Sequence, residues 1–284
     1  MTAAAVRFGI GARTLLSVSR RLRRIALSLD DVRAGVVPPR GALAAEEDGF
    51  LLTSLPVAAL PAIKTDGLIA FVRQRYDRSW IDLTAGEAAW RAGLSANARA
   101  QLRRKARRLG VHEVRRYRTP DEIAAFHAAA RALSVSTYQE RLLDEGLPAD
   151  AAPLLRLAAA DGARAWLLRV DDTPVAYLCC TADRDTLRYE HVGYDPAWSQ
   201  LSPGAVLQGE ALGDLFADRF ARFDFTEGDG QHKRRFATNS VPCVDLLLLR
   251  ATAANRALVA ALRAWDALVA MAKRRTPGLK RFRR

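Results

Sequence analysis

Residues 163–194 read ARAWLLRVDDTPVAYLCCTADRDTLRYEHVGY, and this stretch decides the fold. Ala163–Val170 and Pro174–Ala182 are apolar runs of strand length on either side of Asp171-Asp172-Thr173, which is turn chemistry. Thr186–Tyr194 follows a second turn, Asp183-Arg184-Asp185, as a third strand. Three antiparallel strands in a meander are expected. Beyond them, Asp195–Gly204 reads as a loop and Ala205–Phe220 as a helix, with Val206, Leu207, Leu212, Leu215 and Phe216 at helical spacing. Phe223-Asp224-Phe225 is a short strand and Val241–Leu249 a longer one. A final helix from Ala253 to Lys273 carries Leu258, Leu262, Trp265 and Val269 on one face.

Upstream of the meander the period is helical. Leu94 to Leu109 is a helix with Ser95 placed to cap its start and Gly110 its end. Asp121–Leu133 and Ala149–Ala160 are two more. The first ninety residues mix strand and helix: a Pro-Gly turn at Val36–Gly41, apolar runs at Phe50–Leu52 and Leu68–Val72, and RSWIDL from Arg78 to Leu83 entering a helix near Ala88. The expected fold class is mixed α+β, divided into residues 1–93, a helical connector 94–160, a lobe 161–252, and a last helix with a basic tail, 253–284.

The chain has 284 residues, 50% of them hydrophobic, which excludes a disordered protein. Its formal net charge of +13 is concentrated in two places. Arg99, Arg103, Arg104, Lys105, Arg107, Arg108, Arg115, Arg116 and Arg118 form one cluster, and Lys273, Arg274, Arg275, Lys280, Arg281, Arg283 and Arg284 form another. Outside these sixteen cations and Glu113, the remainder holds 28 basic and 30 acidic residues and is near neutral. A protein basic throughout is excluded, and a localised contact with phosphate, nucleic acid or a membrane surface is left. Arg pairs interrupt every apolar run of the first thirty residues, so neither a secretory leader nor a membrane span is expected, and the chain reads as cytosolic. Three cysteines, two of them adjacent (Cys179, Cys180), and four scattered histidines make neither a disulfide framework nor a metal ligand set.

The element order resembles the GNAT-type acyl-CoA N-acyltransferases, and the residues support the comparison. Those enzymes carry a loop of the form Arg/Gln-x-x-Gly-x-Gly/Ala before the long helix. Here it reads Gln200-Leu201-Ser202-Pro203-Gly204-Ala205, with Ser-Pro at the middle glycine. A subgroup described as BioF2-like, or cellulose-biosynthesis-associated, is similar over nearly the whole chain. Its marks are Leu94-Ser95 to Leu109, Thr137-Tyr138-Gln139, Tyr194-Asp195, Leu201-Ser202-Pro203-Gly204, and Asp224-Phe225-x-x-Gly228 with Lys233 and Phe236 beyond. The resemblance implies two related lobes, an acyl-CoA co-substrate held at Gln200, Ser202, Pro203, Gly204 and Ala205, no metal, and an amine acceptor such as an amino sugar in envelope or exopolysaccharide assembly. The two-lobed Fem-type transferases offer a rival donor, aminoacyl-tRNA, and a non-catalytic lobe acting as a scaffold at a membrane surface is a second alternative.

Direct attack of an amine on a thioester needs positioned reactants, a base and stabilisation of the developing oxyanion, with no covalent nucleophile. Tyr189 and His191 are two apart on one strand and are expected to share a face, His191 as base and Tyr189 as acid for the leaving thiolate. Glu190, on the other face, is the alternative base. Asp224 can orient the amine or pair with Lys233, and Lys233 can hold an anionic group. Tyr138, Gln139 and Tyr194 are candidates for acceptor binding. The basic helix is a solvated face or an anion surface for the donor's 3′-phosphate, tRNA, glycan or lipid, and the tail 273–284 is a candidate for an anionic membrane surface.

Overall fold

The computed structural model describes residues 3–10, 13–136, 146–228 and 230–275. The chain forms two compact units, one of residues 1–76 with 242–284 and the other of residues 77–241. They interleave in sequence, whereas the segments expected from sequence were consecutive.

In the first unit, β1 (Ala3–Ile10) and β2 (Arg13–Ala26) form an antiparallel hairpin, β2 runs parallel to β3 (Gly49–Pro56), and β3 is antiparallel to β10 (Asn239–Leu249). Gly49 is required here, because a Cβ would lie 2.1 Å from the Leu248 carbonyl oxygen. Between β2 and β3, α1 (Leu29–Ala34) is closed by a capping box in which Ser28 and Asp31 exchange side-chain and backbone hydrogen bonds. Helix α8 (Ala253–Arg275) sets Leu258, Val259 and Leu262 against Leu22, Leu51, Leu247 and Leu249.

The second unit is built on strands in the order β4, β9, β8, β7, β6, β5. β4 (Ile69–Asp82) enters it from the first unit, and β5 (Glu113–Tyr117) closes the far edge. β6 (Ala163–Val170), β7 (Thr173–Asp183) and β8 (Thr186–Tyr194) are the expected meander. β9 (Arg222–Asp224) is antiparallel to β4 and parallel to β8. One face of this sheet is covered by α2 (Glu87–Gly93), α3 (Ala96–Leu109), α6 (Pro203–Leu215) and α7 (Gln231–Phe236). The other is covered by α4 (Pro120–Ser136) and α5 (Ala152–Ala159). Burial of both faces explains why the meander strands read as continuous apolar runs rather than alternating ones. On α6 alone Leu207, Ala211, Leu212 and Leu215 are fully buried, at about 1.5–3 kcal/mol for each large side chain.

Helix α3 starts and stops where its sequence indicates. The Ser95 hydroxyl accepts from the Ala98 N–H, and Gly110 follows the last turn with φ 82°. Two boundaries differ from expectation. A short 3₁₀ turn (Pro196–Leu201) fills most of the expected loop, and α6 begins at Pro203 and ends at Leu215, five residues short of Phe220. Pro203 fits the first helical turn, where its missing N–H costs nothing.

Candidate active site

β8 and β9 run parallel over three residue pairs, Thr186↔Arg222, Leu187↔Phe223 and Arg188↔Asp224, and their register then stops. Past that point, among the described residues, β8 pairs only with β7, so residues 190–194 present an open edge. The Thr226 hydroxyl closes the fork, donating to the Tyr189 carbonyl at 3.2 Å. The edge leads through Tyr194 and the 3₁₀ turn to the amino end of α6.

That helix end is bare. Ser202, its N-cap residue, sits in the left-handed region with φ 56°, and no side chain caps the first turn. Pro203 has no N–H and the Ala205 and Val206 N–H groups turn to the Ser202 carbonyl at 3.0 and 3.4 Å, so the Gly204 N–H and the helix dipole are what the end offers to a phosphate. Gly204 leaves the approach clear: a Cβ there would meet only the Tyr194 ring, at 3.6 Å. Gln200 and Tyr194 are exposed, Ser202, Gly204 and Ala205 are half-buried, and Pro203 is buried.

The fork also corrects the expected facing of β8. In the β7–β8 pairing Cys180 lies opposite Tyr189, whereas Cys179 lies opposite His191, so Glu190 is an extra residue, a β-bulge. Directly opposed residues share a face, and Cys179 and Cys180, being adjacent, do not. Tyr189 and His191 therefore lie on opposite faces despite their spacing of two. Tyr189 packs on the α6 side, its ring 6.1 Å from both Phe223 and Phe225. His191 lies on the α4 side with Glu190, which accepts from the Thr181 hydroxyl at 3.1 Å and pairs with Arg188 at 3.2 Å. Burial draws the His191 pKa down, and the neighbouring Glu190 carboxylate opposes that shift. Burial pushes the Tyr189 phenol well up. It also pushes Cys179 up to about 12, so that thiol stays protonated inside the sheet.

Asp224 is fully buried, and its carboxylate receives both arms of the Arg78 guanidinium at 3.0 and 2.6 Å, plus the Thr226 N–H at 2.9 Å. It thus pairs with Arg78 and not with Lys233. Lys233 is itself buried, and its ammonium donates to the Glu227 carbonyl. Arg78 was missed from sequence. Its only signal was a cation at the start of the strand RSWIDL beside Trp80 and Ile81, where a charge drawn into the core demands a partner. Tyr138 and Gln139 lie outside the described residues. Among the described residues no three or more His, Cys, Asp or Glu side chains come together as a metal site, and no helix is long and apolar enough to cross a membrane.

Residues 96–234, all within the second unit, match the family model described as acetyltransferase (GNAT) domain. The chain carries a GNAT acyltransferase domain. It is an acyltransferase by that domain, and the forked β8–β9 pair with the bare helix end lies inside it. The fold is shared with the C-terminal domain (DUF2156) of a putative lysylphosphatidylglycerol synthetase from Agrobacterium fabrum, at TM-score 0.55 and 15% identity over 78% of this chain and 72% of that one. FemX is similar at TM-score 0.49 and 9% identity over 88% of each chain. L-PGS from Bacillus licheniformis is similar at TM-score 0.48 and 12% identity over 76% of this chain and 72% of that one. No curated protein matches the sequence.

Proposed function

We propose that the GNAT domain transfers an acyl group from an acyl-CoA to a primary amine, with the donor seated where β8 parts from β9. One observation carries this reading: the strand edge freed beyond Arg188↔Asp224 runs to an uncapped helix start at Ser202–Ala205. An open edge offers backbone N–H and C=O groups to an amide-bearing chain, and the helix start offers its dipole and the Gly204 N–H to a pyrophosphate. Gln200, Ser202, Pro203, Gly204 and Ala205 hold the donor, which supplies an acyl group activated as a thioester.

His191, its pKa lowered and so neutral near pH 7, takes the proton of the acceptor ammonium, with Glu190 beside it to stabilise the imidazolium. Tyr189, on the opposite face of the sheet from His191, packs against Phe223 and Phe225 and shapes the fork, so the leaving thiolate takes its proton from water. Asp224 acts through Arg78 by fixing β9 against β4, and Lys233 by holding the Glu227–Gly228 turn. Tyr138, Gln139 and Tyr194 contact the acceptor. The BioF2-like motifs favour an amino sugar of envelope or exopolysaccharide assembly as that acceptor.

Calorimetry with acetyl-CoA tests the site. The wild type should bind and Gly204→Trp, which places an indole beside Tyr194, should bind at least about tenfold more weakly. Equal binding by both would remove the donor from the α6 end. Binding by neither, together with retention of tRNA at low salt, would replace acyl-CoA by an aminoacyl-tRNA donor.

A further inference from the structure

Helix α3 contains six cations, Arg99, Arg103, Arg104, Lys105, Arg107 and Arg108, and no acid. Arg99 is committed, donating to the carbonyls of Arg91 at 3.1 Å, Ala92 at 3.2 Å and Leu94. Lys105 is half-buried. Burial and the nearby guanidinium groups of Arg235 and Arg104 lower its pKa, which places Arg235 of α7 on the same cationic side. Arg103, Arg104, Arg107 and Arg108 are all exposed, and among the described residues none of them has an acidic partner. At spacings of one, four and five they share one side of the helix. The opposite side, Ala98, Leu102, Ala106 and Leu109, is packed into the core, and Leu102 touches α6 at Gly209.

The turn after the helix adds an apolar tip. Val111 is 91% exposed, immediately beyond the arginines. The tip is held, not loose. His112 bonds the Gly110 carbonyl through Nδ1 at 2.7 Å and the Glu210 carboxylate of α6 through Nε2 at 2.8 Å. Both partners are acceptors, which favours the imidazolium, and its charge is balanced by Glu210, so His112 anchors the tip without adding net charge to the patch.

We propose that this side of the GNAT domain docks on an anionic phospholipid surface, with Arg103, Arg104, Arg107 and Arg108 at the headgroup phosphates and Val111 entering the interface. Four unpaired guanidinium groups on one convex helix repel each other, and a plane of negative charge relieves that repulsion. An exposed aliphatic tip beside them gains by leaving water at the same contact. A single-stranded nucleic acid site would pair such cations with stacking aromatics, and α3 has no aromatic residue. The inference goes beyond acyl transfer and stands whichever donor the domain uses.

Flotation of the full chain with vesicles of two parts phosphatidylcholine to one part phosphatidylglycerol, and with vesicles of phosphatidylcholine alone, tests it. The wild type should float with the anionic vesicles only, and less as salt is raised. Each arginine is expected to contribute about fivefold, so the combined variant Arg103→Gln, Arg104→Gln, Arg107→Gln, Arg108→Gln should fall below a tenth of wild-type association. Val111→Asp should weaken it severalfold at the same salt. A variant with Lys280, Arg281, Arg283 and Arg284 changed to Gln should still float. Thermal melting of each variant establishes that it is folded. The proposal is overturned if the wild type ignores anionic vesicles, if the tail variant loses binding while the helix variant keeps it, or if the helix arginines retain tRNA in a gel shift and no vesicle binding occurs.

Discussion

Two arginine clusters in the GNAT domain use the same side chain in opposite ways. At one end of the sheet, Arg164 is fully buried and meets Asp218 at 2.6 and 3.1 Å and Asp161 at 2.9 Å. Arg116 also pairs with Asp218, and Arg118 and Arg219 each reach Asp161 at 2.8 Å. Phe220 lies under two of these guanidinium groups, Arg164 at 5.1 Å and Arg219 at 4.2 Å. On α3, four arginines stand in solvent with no acid beside them among the described residues. The first cluster is closed on itself and serves the fold. The second is open and leaves its charge for something outside the chain. Cations therefore carry different information according to where the acids are, and a count of residues cannot separate the two.

The contrast breaks hardest at Asp218. Asp218→Ala leaves the Arg164 guanidinium buried with half its partners gone, and unfolding in urea should show a loss of about 3–5 kcal/mol. A loss below 1 kcal/mol would mean that Asp161 alone satisfies Arg164. Acid comes next. Burial pushes the Asp218 carboxyl up, but Arg164, the Arg219 N–H and Arg116 outweigh it and hold it below the usual range, and Arg118, Arg164 and Arg219 do the same for Asp161. Carboxyls that titrate lower folded than unfolded stabilise fully above the unfolded value of about 3.9, and that stabilisation fades as pH falls through the folded values. The urea midpoint of the wild type should therefore drop below about pH 4, and Asp218→Asn should show a shallower drop. Equal slopes would assign the acid sensitivity to other carboxylates. The smallest effect belongs to the open cluster: Arg104→Gln with Arg107→Gln should change stability by no more than about 0.5 kcal/mol, because exposed unpaired side chains hold nothing in place. A larger loss would show that α3 pairs its cations after all.

Much of the second unit was legible in the sequence because its signals are local. The meander strands fall where ARAWLLRV, PVAYLCCTA and TLRYEHVGY place them, since strand length and turn residues are properties of a few neighbouring positions. Ser95 and Gly110 bound α3 for the same reason. At the site the loop Gln200–Ala205 was legible as a helix start through Pro203 and Gly204, whereas its bare N-cap was not, because the left-handed Ser202 depends on how the 3₁₀ turn before it closes. The hairpin of β1 and β2 was not read from the sequence at all. Arg20, Arg21, Arg23 and Arg24 interrupt its apolar pattern, and its pairing with β3 is made by residues nearly thirty positions away.

By itself, then, the sequence determined the mixed α+β class, the order of the strands and the long helix α6 from Ala163 to Leu249 but not the short α7, the acyltransferase resemblance, and the concentration of excess charge in residues 99–118 and the tail. Tertiary structure alone decided which residues can act together. Spacing puts Tyr189 and His191 on one face, and the bulge at Glu190 separates them, because register belongs to the pairing of β8 with β7 and not to either strand. Asp224 lies 146 positions from Arg78, and only the packing of β9 against β4 makes the two a buried pair. The same holds for charge: sequence located the arginines, and the fold decided which of them meet a carboxylate and which face solvent.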